Sequence, residues 1–123
     1  MANNPSLNTV YLVTGSNKNV TLEIIIGAPG QTARTMILID DDAIADDHPG
    51  SFFEKPIGRN RQLDGKTLFI TSNITDTSPD TNHTEMLIRL RGGVTFREYP
   101  LAKVVDEEGE SVPYLCIIEF LKI

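Results

Sequence analysis

Apolar residues in this chain come in short runs instead of long periodic stretches. Runs rich in Val, Ile, Leu, Thr, Phe and Tyr fall near 7–14, 20–26, 34–39, 66–72, 84–91, 94–99 and 112–122, separated by Gly, Pro, Asn and Asp. That spacing predicts strands joined by turns. A weaker strand is expected near 51–57, where Ser51-Phe52-Phe53-Glu54 leads into Pro56. The segment Asp42-Ala43-Ile44-Ala45-Asp46 could close one helical turn, which Pro49-Gly50 would stop. The expected architecture is an all-β antiparallel sandwich, or a partly open barrel, of about 7–8 strands and one domain over 1–123.

Strand alternation carries further information in the last run. Val112, Tyr114, Cys116, Ile118 and Phe120 fall on one side, while Leu115, Ile117, Leu121 and Ile123 fall on the other, interrupted by Glu119. Ile24-Ile25-Ile26 and Met36-Ile37-Leu38-Ile39 are also apolar on both faces. A two-layer sandwich leaves one face of each sheet to solvent. Such strands therefore predict cover from the long 40–65 excursion or from another chain. Between Met86 and Arg97 the pattern predicts a hairpin with a three-residue loop, Arg91-Gly92-Gly93. That register sets Leu90 opposite Val94 and Ile88 opposite Phe96, with Gly93 at positive φ.

Composition narrows the functional classes. The chain has 40% hydrophobic and 23% charged residues, which suits a folded domain able to bury a core without staples. Its formal net charge of −6 argues against nucleic acid, whose phosphates require a basic surface, and against anionic membrane. No apolar stretch is long enough to span a bilayer, and the first residues lack the charged and apolar regions of a signal peptide. A cytoplasmic protein is expected, unless a signal was removed or export needs none. Cys116 is the only cysteine, and its apolar neighbours predict a buried structural thiol. The N-x-[ST] sequons at Asn19, Asn73 and Asn82 are expected from chance in a chain rich in those residues.

The acidic residues are concentrated between strands. If successive strands alternate in direction, the loops 15–19, 40–50, 73–83 and 100–111 share an end and hold most of the Asp and Glu, while Arg34, Arg59, Arg61, Lys66 and Arg91 border the other end. The densest cluster, Asp40, Asp41 and Asp42 with Asp46 and Asp47, would then meet Asp76 and Asp80. Hard oxygen ligands converging from two or three loops are what Ca²⁺ takes, in sets of about 6–8. No EF-hand spacing is present, and solvated acidic turns are the plain alternative. His48 and His83 each lie near aspartates and could hold a transition ion such as Zn²⁺, although their spacing matches no ligand motif.

Gly27-Ala28-Pro29-Gly30-Gln31-Thr32 resembles a phosphate-cradling loop only in its glycines, because the Gly-Lys-[Ser/Thr] that reaches phosphate is missing. No spacing of Ser, His and Asp marks a nucleophile, so no catalytic residues are expected. With no Trp and only 7% aromatics, sugar stacking has little to draw on. The pattern favours a non-catalytic interaction or assembly protein that forms a homo-oligomer or docks on a protein partner through a sheet face. A binding module for Ca²⁺ or a glycan at the acidic end is the alternative.

Overall fold

The computed structural model describes residues 4–27, 31–76, 83–105 and 109–123. Among the described residues nine strands and one helical turn follow in order: β1 Ser6–Val13, β2 Asn19–Ile26, β3 Gln31–Ile39, β4 Asp42–Pro49, β5 Phe52–Arg59, α1 Asn60–Leu63, β6 Thr67–Asp76, β7 His83–Arg91, β8 Arg97–Val104 and β9 Ser111–Lys122. They form two packed sheets, a five-stranded one in the order β1-β9-β6-β3-β4 and a four-stranded one in the order β5-β2-β7-β8. The all-β sandwich is as expected, with more strands than the apolar runs indicate. Every ladder is antiparallel except that of β1 with β9, which is parallel.

The period of two along each strand decides which side chains meet. Val112, Tyr114, Cys116, Ile118 and Phe120 of β9 are buried, with Leu68, Ile70 and Ile74 of β6 and Ile37 and Ile39 of β3 from the same sheet. Val20, Leu22, Ile24, Met86, Ile88 and Leu90 meet them from the other sheet in one continuous core. Each such side chain, withdrawn from water, contributes about 1.5–3 kcal/mol. Several polar groups within this core are paired. The hydroxyls of Thr35 and Ser72 lie 2.8 Å apart across β3 and β6, and Thr84 donates to the Lys103 carbonyl at 2.7 Å while its hydroxyl also meets that of Tyr114. Burial raises the Tyr114 pKa, against the contact with Thr84.

Three local expectations are corrected. First, Asp42–Pro49 is the edge strand β4, not a helical turn in a loop. Asp40, at φ 51°, makes the turn from β3, and its Oδ1 accepts from the Thr67 N–H at 2.9 Å. Asp47, at φ 55°, falls where the β3–β4 ladder is irregular. Aspartate tolerates this left-handed backbone better than most residues, which accounts for two acids of the cluster on conformational grounds.

Second, the β7–β8 register places Leu90 opposite Arg97 and Ile88 opposite Tyr99, so the connection is longer than three residues. Gly92, not Gly93, has positive φ, at 97°. Val94 and Phe96 are exposed and do not continue the core face. The Val94 N–H instead donates to the Leu12 carbonyl, and the Arg91 guanidinium lies 4.6 Å from the centre of the Phe96 ring. Third, the 40–65 excursion does not cover the outer face of β9. It supplies β4 at one edge of the larger sheet and β5 at an edge of the smaller one.

At the end where β1 finishes, a polar hub joins three connections. Asn60 is fully buried. Its Oδ1 accepts from the Thr14 N–H at 3.0 Å, and its Nδ2 donates to the carbonyls of Lys18 at 2.7 Å and Gly92 at 2.9 Å. The backbone N–H groups of Asn60 and Arg61, otherwise orphans at the start of α1, donate to Lys18 and Ser16. Tyr11 completes this end by accepting from the Gly93 N–H at 3.0 Å.

Candidate interaction surface

The registers separate the acidic residues. Following the ladders, β3 ends and β4 begins at the end of the sandwich where β1 finishes, whereas β6 reaches Asp76 at the opposite end. The extra strand β4 reverses the parity on which convergence rested. Asp40, Asp41 and Asp42 are thus separated from Asp76 by the length of the sheet. Asp46 and Asp47 lie farther along β4, where Asp47 pairs with Arg34 at 3.2 Å. Asp80 lies outside the described residues, as do Ala28, Pro29 and Gly30 of the glycine-bearing segment; β3, not a helix, follows that segment.

The two histidines have separate engagements. The His48 Nε2 is 3.0 Å from the Ser51 carbonyl with its ring edge-on to Phe52, and the His83 Nε2 is 3.1 Å from the Glu85 carboxylate. Among the described residues, no group of three or more His, Cys, Asp or Glu is placed to hold a metal ion. Cys116 is buried, and desolvation raises its thiol pKa from 9.0 to about 12. Among the described residues, no helix is long and apolar enough to cross a membrane.

What the strands do bring together is an apolar surface. On the outer face of the five-stranded sheet, side chains align in rows set by the pairing registers. One row runs Asn8, Ile117, Phe69, Leu38, Ala43; its neighbour runs Ser6, Leu115, Thr71, Met36. Toward the β1 finish, Val10 stands beside Glu119 and Leu12 beside Leu121. Leu115 is 41% exposed and Leu121 54%, with Val10, Leu12 and Met36 also open to solvent. Within this band Glu119 is the one charged position. At its lower border a trough of about 570 Å³ lies between Ser6 and Leu115 on one side and the Arg34–Asp47 pair on the other.

The outer face of the four-stranded sheet carries a cluster of ion pairs. Arg89 reaches across it to Glu98 at 2.9 Å and Glu23 at 3.4 Å, and Arg91 lies 3.6 Å from Glu54, which also accepts from Thr21. The hydrogen bond to Glu98, opposed by desolvation, raises the Arg89 pKa. Ion pairs thus line part of that face, while Ile25, Leu87 and Pro100, side by side in register, border an apolar trough of about 330 Å³ on another part of it. The two-sided apolar character of β9 signalled the exposed band. The contribution of Phe69 and Leu38 to the same row needed the registers.

No family model, curated protein or solved structure matches the chain.

Proposed function

We propose that this chain is a non-catalytic assembly protein that self-associates through the outer face of its five-stranded sheet. The observation that carries this reading is the apolar band across β1, β9, β6 and β3, which is nearly free of charge in a chain of net charge −6. Contiguous exposed apolar surface is unfavourable in water and marks contact surfaces. A two-fold arrangement would lay one band on another, so that Leu115, Ile117, Phe69 and Leu38 lose water from both copies at once. The ion-paired face of the other sheet would remain outside.

The test is the solution mass of the double variant Leu115→Glu, Leu121→Glu. Both side chains are partly exposed, so the isolated fold should tolerate the change while the contact gains buried negative charge on both sides. Sedimentation equilibrium should show the wild type above the 13.6 kDa of one chain and a lower mass for the variant. An unchanged mass in a folded variant would refute the sheet-face contact.

A further inference from the structure

Among the described residues the sandwich has four edge strands, β1 and β4 in one sheet and β5 and β8 in the other. Unpaired edges invite pairing, and proteins block them with charge, proline or irregular ladders. Three of the four carry such devices. β4 holds Asp42, Asp46, Asp47 and Pro49 on a shifted ladder. β5 holds Glu54, Lys55 and Pro56, again with register shifts, and β8 holds Arg97, Glu98, Pro100 and Lys103. By contrast β1, Ser-Leu-Asn-Thr-Val-Tyr-Leu-Val over Ser6–Val13, has neither charge nor proline, and its register with β9 is unbroken.

The hydrogen bonds show which of its backbone groups are open. Pro5 and Val13 accept from Leu115 and Ile123 on the β9 side, so the odd-numbered residues of β1 face β9. Leu12 accepts from Val94 on the other side, so the even-numbered residues face outward. Leu12 is already engaged by the 92–96 connection. Among the described residues, Ser6, Asn8 and Val10 remain with outward N–H and C=O groups and no backbone partner across that edge. The start of β1 at Ser6 limits the ladder at one end and the Val94 contact limits it at the other.

We infer that β1 pairs antiparallel with β1 of a second copy about a two-fold axis through Asn8, joining two five-stranded sheets into one. This deepens the assembly reading and rests on it, by naming a second contact that uses a different surface. The open groups are centred on Asn8, and the register that uses them all is the symmetric one: Ser6 opposite Val10, Asn8 opposite Asn8, Val10 opposite Ser6. Each is a pair that exchanges both backbone bonds, on the order of six bonds together. A second copy fits this edge because two identical neutral strands meet without the like-charge contact that a net charge of −6 otherwise imposes. The outer face continues across the junction, so the apolar bands of the two copies become one surface.

Asn8→Pro separates the edge from the fold. Its missing N–H points away from β9, so the β1–β9 ladder keeps its bonds while the central pair of the junction is lost. With both contacts present, the wild type should exceed the mass of a dimer. Asn8→Pro should reduce it to the face dimer, the Leu115→Glu, Leu121→Glu variant to the edge dimer, and the combination to 13.6 kDa. Asn8→Cys is an independent check. Facing Cα atoms about 5.5 Å apart lie within disulfide reach, and mild oxidation should give a covalent dimer that the wild type, with Cys116 buried, does not give. If Asn8→Pro does not fold by circular dichroism, the crosslink decides. Wild-type mass in a folded Asn8→Pro, or no crosslink in Asn8→Cys, overturns the edge pairing. A face variant that keeps wild-type mass while Asn8→Pro lowers it overturns the face contact alone. A wild type of 13.6 kDa at high concentration overturns both.

Discussion

Replacing Asn60 by alanine should cost more than any exposed asparagine in the chain. The side chain is fully buried and makes three hydrogen bonds, one accepted from Thr14 and two donated to Lys18 and Gly92. In the variant the Lys18 carbonyl still receives the backbone N–H of residue 60, whereas the Thr14 N–H and the Gly92 carbonyl lose the partner that Asn60 gave them. Each buried group left without a partner costs about 1–3 kcal/mol, so the expected loss is about 3 kcal/mol. With an unfolding entropy of about 2.1 cal/mol/K per residue, that loss lowers the melting midpoint by about 10 °C. Urea denaturation is the assay, with the slope checked for two-state behaviour. Asn73→Ala, at an exposed site on β6, is the control and should change stability by less than about 0.5 kcal/mol. Asn60→Asp sharpens the test, because a carboxylate would face two carbonyls that the amide now satisfies. Its pKa in the folded state would rise, so the variant would keep most of its stability below the ordinary aspartate value of about 3.9 and lose it as pH rises. Equal stabilities for Asn60→Ala and Asn73→Ala would show that the three connections are held together by something other than this hub.

Two further outcomes join those stated for Leu115, Leu121 and Asn8. The Cys116 thiol titrates near 9.0 when unfolded and at about 12 when folded. Its contribution is therefore intact below pH 9 and lost progressively between 9 and 12, at up to about 1.4 kcal/mol per pH unit. Cys116→Ala should shift the onset of base unfolding upward, to where Tyr11, Tyr99 and Tyr114, all raised by burial, begin to contribute. Gly93→Val should destabilise by about 2 kcal/mol through overpacking, because a Cβ there would sit 2.5 Å from the Tyr11 ring and 2.6 Å from the Leu12 carbonyl oxygen. Equilibrium denaturation measures the change, and a neutral result would contradict the close approach of this connection to β1.

Alternation made much of the core legible. The buried set of β9 was readable from Val112 to Phe120 because a strand inside a sandwich must separate its faces, and the exposed Leu115 and Leu121 were readable for the same reason. The acidic segment was not. Local preference in Asp42-Ala43-Ile44-Ala45-Asp46 is weak, and β3 draws it into a ladder, so tertiary pairing decides its conformation. One unread strand was enough to send Asp40 and Asp76 to opposite ends. Val94 and Phe96 misled for a related reason. Their alternation looks like that of a core strand, but their contacts are made over the edge of β1 and with Arg91. Asn60 gave no signal at all, since a buried amide serving three connections has no local pattern.

The parallel pairing of the first and last strands has a mechanical consequence. β1 starts at one end of the sandwich and β9 finishes at the other, and the two lie side by side from Ser6 beside Leu115 to Val13 beside Lys122. A tension applied at the outer ends of this pair would pull the strands lengthwise past each other. Every bond of the ladder would then carry load together, instead of opening one at a time as in a hairpin pulled from its open end. Rupture would require many bonds to fail at once, so the rate of forced unfolding, which governs resistance to pulling, would be low for so small a sandwich. An assembly built from such units could carry tension along its strands.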